Sequence, residues 1–224
     1  MQILQDVKLV IFDLDGVLVD SELLSFRAIE EELGKLGIVI DIEFFVRNFW
    51  GQSFSSAQKS VSEAFDYELS EDFVNIYRAT LMENFKHNLK AIAHTQDVLS
   101  QLNTKTAVAT GSSLQRATVS LQVSGLAPFF ENTVFSASDL ENPKPAPDIF
   151  LQVADVFGVQ PSDCLVIEDS LSGITAANRA NMKVWHFRGG SHFGNEYFKS
   201  YCDSHLANLR IDRAFDDMRD FFRG

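Results

Sequence analysis

Five short runs of the chain are almost entirely apolar, without the alternation of hydrophobic and polar residues that is typical of a half-exposed strand. Each run has strand length, and continuous apolar character indicates a strand that is buried on both faces, as in a parallel sheet. The runs lie at residues 9–12, 107–109, 134–135, 164–167 and 184–187. The pattern therefore predicts a parallel sheet that is covered by helices.

Helix-length segments occur between the strand runs, at residues 113–122, 148–157 and 172–180. Strands that alternate with helices are typical of an α/β fold with a doubly wound, Rossmann-like parallel sheet. Residues 20–88 break this alternation, because helical patterns dominate there. We therefore expect an α/β core formed by residues 1–18 and 89–224, with a helical cap, residues 19–88, inserted after the first strand.

The 224-residue chain is 46% hydrophobic and 22% charged, with a formal net charge of −12. This composition is ordinary for a globular protein. A strongly negative surface repels phosphate backbones and anionic lipids, which argues against nucleic-acid and membrane partners. No apolar stretch approaches the roughly 20 residues that span a bilayer, and the first residues lack the features of a signal peptide. We expect a cytoplasmic monomer, with a dimer as the alternative.

Two carboxylates, Asp13 and Asp15, follow the first predicted strand and are followed in turn by Gly16. Because the burial of two unpartnered charges is very costly, the site needs a compensating group. Mg²⁺ is a hard cation that combines a few carboxylate ligands with a substrate phosphate. A simple turn or a fragment of a calcium loop would give the same short pattern. The position directly after an apolar strand favours a metal-dependent site over these alternatives.

Three further polar groups adjoin predicted strands or helices. They are the segment Thr110-Gly111-Ser112, the lysine Lys144 and the pair Glu168-Asp169. Hydroxyls, a glycine and free amides at a helix start can bind an anion. Each group alone has an ordinary explanation: a helix cap, a loop lysine, or acids that the helix dipole favours. Because parallel strands end at one edge of a sheet, we expect these groups to lie together, and coincidence is the weaker explanation.

With these motifs in this order, the chain resembles the haloacid dehalogenase-like hydrolase superfamily, in the branch that has a helical cap after the first motif. The resemblance covers essentially the full length and rests on the residues from Asp13 to Glu22 together with the three groups above. It implies a Mg²⁺-dependent phosphoric monoester hydrolase whose substrate is a small phosphate ester. The motifs are specific for the superfamily and much less specific for the substrate.

The resemblance also implies the catalytic roles. Asp13 is the nucleophile that forms an aspartyl-phosphate, and Asp15 protonates the leaving alcohol and then deprotonates the attacking water. Because Asp15 has to be protonated in the first step, we expect its partners to raise its pKa.

The ligands follow from the same resemblance. The Mg²⁺ ligands are an Asp13 oxygen, the Asp15 backbone carbonyl and Asp169, with Glu168 in or next to the coordination shell. The phosphoryl oxygens bind Thr110, the backbone of Gly111 and Ser112, and Lys144. Positive charge is needed there because a carboxylate repels an anionic phosphoryl group.

Four alternatives to a phosphatase fit the sequence less well. Dehalogenases typically lack the second aspartate, which this chain retains as Asp15. Phosphonate-cleaving relatives need a cap lysine near Phe54, and no lysine of this chain matches that position. A β-phosphoglucomutase-like mutase is closer, but Ser25 and Phe54 stand where that branch has a histidine and the arginine that holds a second phosphate. A catalytically silent binding module is disfavoured because Asp13, Asp15 and Lys144 are all present. The hydrolase is the leading hypothesis and the mutase is second.

Residues 49–54 occupy the place of the cap's specificity loop. We hypothesise that Trp50, Gln52 and Ser53 contact the substrate, which we expect to be a phosphorylated sugar, polyol or sugar acid. For Trp50, packing in the cap core is an equally good explanation.

Overall fold

A computed structural model describes residues 4–138 and 140–223, and its centre is a six-stranded parallel sheet. The strands are β1 (Leu9–Phe12), β2 (Lys105–Thr110), β3 (Val134–Ser136), β4 (Cys164–Glu168), β5 (Lys183–Phe187) and β6 (Arg213–Phe215). Their order across the sheet is β3-β2-β1-β4-β5-β6, and every neighbouring pair is parallel. The predicted doubly wound α/β fold is confirmed.

The central strand β1 is completely buried, because both of its edges are paired and all four of its residues are apolar. Phe12, its last residue, is in register with Val108 of β2 and Ile167 of β4. The three strands therefore end within two residues of one another along the strand direction, so the segments that follow them start close together. The strand order also reverses beside β1, and ligands in open α/β sheets bind at such a reversal.

Nine α-helices accompany the sheet in the described part of the chain. They are α1 (Glu22–Lys35), α2 (Ile42–Asn48), α3 (Phe54–Phe65), α4 (Glu71–Asn88), α5 (Thr95–Gln101), α6 (Leu114–Val123), α7 (Asp148–Phe157), α8 (Leu171–Arg179) and α9 (Glu196–His205). The predicted helices in residues 113–122, 148–157 and 172–180 correspond to α6, α7 and α8.

Helices α1 to α4 lie between β1 and β2 in the chain, where the sequence predicts the cap. Asp41, Ser53 and Ser70 cap the N-termini of α2, α3 and α4 by accepting a backbone hydrogen bond. Val19 forms an isolated antiparallel bridge with Ala91, so the chain leaves and re-enters the core at one place. The proposed domain boundaries at 18/19 and 88/89 stay a prediction.

Two elements near the C-terminus were not predicted from the sequence. Strand β6 has only three residues and no continuous apolar run, and α9 has a mostly polar sequence. Helix α9 packs against helix α2, where Phe198 and Phe45 have ring centres 6.4 Å apart. Within residues 4–138 and 140–223, no helix has both the length and the apolar character needed to cross a membrane.

Candidate active site

Lys144 joins two carboxylates that come from the ends of different strands. Its Nζ donates to Asp13 Oδ1 and to Glu168 Oε1, each across 2.6 Å, and to the carbonyl of Ala109 across 2.9 Å. All three charged side chains are buried. Burial alone would lower the pKa of Lys144, but the charges of Asp13 and Glu168 outweigh it and raise that pKa, so the ammonium stays protonated.

Asp13, Glu168 and Asp169 form a carboxylate cluster whose oxygens lie within 4.8 Å of one another. Burial raises the pKa of Asp13 well above its ordinary value, and the charges of Glu168 and Asp169 add to this effect while Lys144 opposes it. Burial and the charge of Glu168 likewise raise the pKa of Asp169. A divalent cation would offset the repulsion between these carboxylates. All the donor atoms are oxygens, which hard cations prefer, so the residues fit Mg²⁺.

Gly16 allows the chain to approach this cluster closely. Its φ is +78°, and a Cβ at this position would lie within van der Waals overlap of Asp169 Oδ2. Only glycine combines that backbone conformation with that space. The turn after Asp15 therefore packs directly against the carboxylate cluster.

Asp15 points to a different set of partners from those of Asp13. Its Oδ1 accepts from Ser21 Oγ at 2.6 Å and from Arg116 Nη2 at 2.8 Å, and its Oδ2 accepts from Ser112 Oγ at 2.6 Å. Burial would raise the pKa of Asp15, but the Arg116 charge and these hydrogen bonds outweigh it and lower the pKa. The expectation that its partners raise the pKa is therefore wrong for this conformation, because a guanidinium faces the carboxylate.

Arg116 is a partly buried cation of the site that the sequence pattern did not reveal. Besides Asp15, it contacts Ser25 Oγ on α1 at 3.2 Å, and its guanidinium carbon lies 5.1 Å from the centre of the Phe85 ring on α4. It therefore links α6 to two helices of the predicted cap. A signal was present in the sequence: Arg116 is the third residue of α6, where the helix dipole disfavours a cation unless an anion is near.

The predicted phosphate-binding segment begins at Thr110, the last residue of β2. Thr110 is buried and its Oγ1 accepts from the Ser112 amide at 3.0 Å, while Gly111 is exposed. Ser113 caps α6 by accepting from the Arg116 amide. The hydroxyl of Ser112 is engaged by Asp15. Phosphate binding by this segment stays a prediction.

Two more titratable residues lie near the cluster without an assigned role from the sequence. Burial raises the pKa of Glu22 well above its ordinary value, and the charges of Asp15 and Asp169 add to the effect. His192 is fully buried, with Nε2 only 3.1 Å from Asp169 Oδ2 but without the alignment of a hydrogen bond. Burial lowers the pKa of His192 to about 3, so its ring is neutral.

The three cap-loop residues have different surroundings. Trp50 is buried, and its Nε1 donates to Asp169 Oδ2 across 3.3 Å. Ser53 caps α3 by accepting from the Ser56 amide, and Gln52 is exposed. Among the described residues, neither the Gln52 nor the Ser53 side chain has a hydrogen bond to the buried carboxylates. Their contact with a substrate stays a prediction.

Comparison with known proteins identifies the family of the chain. The chain matches the family model of the haloacid dehalogenase-like hydrolases over residues 10–187. A haloacid dehalogenase-like protein of unknown function from Agrobacterium tumefaciens C58 has a similar crystal structure, with a TM-score of 0.78, 30% identity and 96% of each chain covered.

Curated relatives include two phosphatases from Escherichia coli K12. A 6-phosphogluconate phosphatase is 27% identical over 83% of this chain and 85% of its own length. A fructose-1-phosphate phosphatase is 32% identical over 77% of this chain and 92% of its own length. The chain is also 35% identical, over 79% of its length, to the chloroplastic protein SUPPRESSOR OF QUENCHING 1 of Arabidopsis thaliana, but the match spans only 17% of that protein.

Proposed function

The chain belongs to the haloacid dehalogenase-like hydrolases, as a phosphoric monoester hydrolase, and from this premise we propose that it is a Mg²⁺-dependent phosphatase of a small phosphorylated metabolite. One observation supports the proposal most strongly. A buried lysine lies between Asp13 and Glu168, and both carboxylates belong to a cluster that fits a divalent cation. This arrangement has no simple structural benefit, because a buried ion pair is weak evidence for stability.

In the proposed mechanism, Asp13 is the nucleophile. A carboxylate oxygen of Asp13 attacks phosphorus, the P–O bond to the substrate alcohol breaks, and a proton from Asp15 goes to the departing oxygen. Water then attacks the phosphorus of the aspartyl-phosphate, Asp15 takes a proton from that water, and the bond to Asp13 breaks to release phosphate. Covalent catalysis thus divides one difficult displacement into two.

The residues proposed to hold Mg²⁺ are Asp13, Asp169 and the backbone carbonyl of Asp15, with Glu168 in or next to the shell. The metal supplies positive charge that offsets the repulsion between the nucleophile and the phosphoryl group. Lys144 supplies a second positive charge beside Asp13 Oδ1. Thr110 and the backbone of Gly111 and Ser112 are proposed to bind the phosphoryl oxygens.

The proposed substrate class is a phosphorylated sugar, polyol or sugar acid. The named activities of the two Escherichia coli relatives, on 6-phosphogluconate and fructose 1-phosphate, support this class. Gln52 and Ser53 of the cap loop are proposed to contact the part of the substrate outside the phosphate. If Gln52→Ala has the KM and kcat of the parent over a panel of such esters, the proposed contact between Gln52 and the substrate is wrong.

A phosphomutase is the second candidate, and Arg116 is the observation that favours it. The sequence lacks the cap arginine that holds a second phosphate in mutases, but Arg116 places a guanidinium against the cap near Asp15. A cation there could bind a second phosphate in place of the missing arginine. A strong preference for a bisphosphate, with an isomerised phosphorylated product, would replace the hydrolase with the mutase.

The deciding experiment measures phosphate release from sugar phosphates, polyol phosphates and sugar-acid phosphates with Mg²⁺ or with EDTA. We expect metal-dependent release by the parent protein and none above background by Asp13→Asn, which keeps the shape of the side chain and removes the nucleophilic charge. Circular dichroism of the variant controls for folding. Turnover that persists in Asp13→Asn would contradict the proposed nucleophile, and a lack of turnover by the parent over the whole panel would favour a binding module.

A further inference from the structure

Trp50 of the cap loop is held in an aromatic pocket that comes entirely from the segment after β5. Its ring centre lies 5.6 Å from His192, 5.9 Å from Phe193, 4.9 Å from Phe198 and 6.2 Å from Tyr201. Only 3% of the residue is exposed. The position of this indole is therefore fixed by packing on several sides.

The polar edge of the indole reaches the carboxylate cluster. Trp50 Nε1 donates to Asp169 Oδ2 across 3.3 Å, although the two residues are 119 positions apart in the chain. A buried indole N–H usually finds an acceptor, and here that acceptor is a carboxylate that fits a divalent cation.

Gly51, which follows Trp50, contacts Ser170, which follows Asp169. Gly51 has a φ of +67°, and a Cβ there would lie 2.8 Å from the Cβ of Ser170. Two consecutive cap residues thus contact Asp169 and Ser170, which are also consecutive. Because the contact extends along both segments, a shift of the cap loop would move the donor away from Asp169.

We infer that Trp50 is a positioning residue for Asp169 and that docking of the cap loop is coupled to the binding of the divalent cation. This inference rests on the metal site of the proposed function. A carboxylate whose one oxygen is held by an N–H donor keeps a fixed orientation and offers its second oxygen to a cation. Loss of such an outer partner typically weakens metal affinity by about 10-fold to 100-fold. The coupling is reciprocal, so the cation stabilises the docked cap loop by the same factor.

The test uses Mg²⁺ alone, without substrate, on the full chain. The protein has two tryptophans, and the other one, Trp185, packs against Phe215 and Phe221. In Trp185→Phe, the tryptophan emission comes only from Trp50, and we expect Mg²⁺ to change it. Calorimetry should show an Mg²⁺ Kd about 10-fold higher in Trp50→Phe than in the parent. The matched variant Trp185→Phe should keep the Kd of the parent.

Three results would overturn the inference: an unchanged Kd in Trp50→Phe, no response of Trp50 emission to Mg²⁺, or no Mg²⁺ binding by the parent. If Trp50→Phe does not fold, Gly51→Ala replaces it, because the added Cβ pushes the cap loop away from Ser170. Gly51→Ala should raise the Kd by a similar factor, and an unchanged Kd would again overturn the inference. These titrations are independent of turnover, so a protein that binds Mg²⁺ in this way but hydrolyses no ester would contradict the proposed function alone.

Discussion

Arg116 donates from Nη2 to Oδ1 of Asp15 across 2.8 Å, so the proposed acid is paired with a cation. This pairing holds Asp15 in its ionised form, whereas the first step of the proposed mechanism requires a proton on it. Arg116 also contacts Ser25 on α1 and Phe85 on α4, which belong to the predicted cap. A substrate or a movement of the cap that draws Arg116 away would therefore allow Asp15 to become protonated.

Replacement of Arg116 tests this relationship. In Arg116→Met, the pKa of Asp15 should rise because the opposing charge is removed, and the alkaline limb of the kcat/KM profile should move to higher pH. Arg116→Lys keeps the positive charge and should retain a profile close to that of the parent. Profiles measured with one sugar phosphate at saturating Mg²⁺ decide the matter. An alkaline limb that does not move in Arg116→Met would contradict the proposed control of Asp15.

Gly16 offers a test of the close approach between the first loop and Asp169. Gly16→Ala adds a Cβ that overlaps Asp169 Oδ2 at a φ of +78°, so we expect a loss of about 1–3 kcal/mol in the free energy of unfolding. The control is Gly34→Ala in α1, where no atom of the described residues lies within 4 Å of an added Cβ and the helix should gain about 0.5–1 kcal/mol. Urea denaturation of both variants gives the comparison, and equal stabilities would refute the assigned strain.

Removal of Lys144 is expected to destabilise the protein, although the intact buried ion pair adds little net stability. Lys144→Met leaves Asp13 and Glu168 without their shared cation, and removal of one partner from a buried ion pair costs about 3–5 kcal/mol. Lys59→Met is the matched control, because its ion pair with Glu63 is exposed and such pairs contribute about 0–1 kcal/mol. Both variants should be unfolded in urea with EDTA present. A loss in Lys144→Met no larger than that in Lys59→Met would show that the buried carboxylates do not depend on the lysine.

His186 predicts a dependence of stability on pH. Burial, with the nearby charge of Arg188, lowers the pKa of His186 from 6.5 to about 4, and its Nε2 lies 3.1 Å from the backbone oxygen of Asp169. Between these two pH values the unfolded chain binds a proton that the folded chain does not. His186 alone should therefore lower the free energy of unfolding by at most about 1.4 kcal/mol per pH unit as the pH is lowered from 6.5 towards 4. His192 acts in the same direction, and the carboxyl groups with raised pKa values act in the opposite one, so the effect of His186 is read as the difference between parent and variant. His186→Gln should reduce this slope in urea denaturation, and an unchanged slope would assign the effect to other groups.

Much of the fold was predictable because the buried strands of a parallel sheet have a simple sequence signature. The runs at residues 9–12 and 164–167 have no polar positions, since helices or neighbouring strands cover them on every side. Strand β6 escaped prediction for the opposite reason: it lies at the edge of the sheet, and only Phe215 of its three residues is fully buried. A short edge strand is determined mainly by what it packs against.

The candidate site was predictable where its residues directly follow strands. Asp13 and Glu168 both contact Lys144, and they lie close together because β1 and β4 are neighbours in the sheet. No local sequence pattern specifies that these two strands are neighbours. Arg116 and Trp50 were harder to assign, because their partners are distant in sequence. A helix position accounts for Arg116, and an apolar core accounts for Trp50, without any functional role. The lowered pKa of Asp15 follows from Arg116 and could not be foreseen without it.

Strand β1 is hydrogen-bonded along both edges and has no exposed residue, so it belongs to the part of the protein that opens least readily. Its amides should be among the slowest in the chain to exchange with deuterium. Because Asp13, the proposed nucleophile, directly follows this strand, its backbone is anchored to that part of the protein. If the protein hydrolyses an ester as proposed, we expect the movements that admit the ester and release the alcohol to come from the α1–α4 layer.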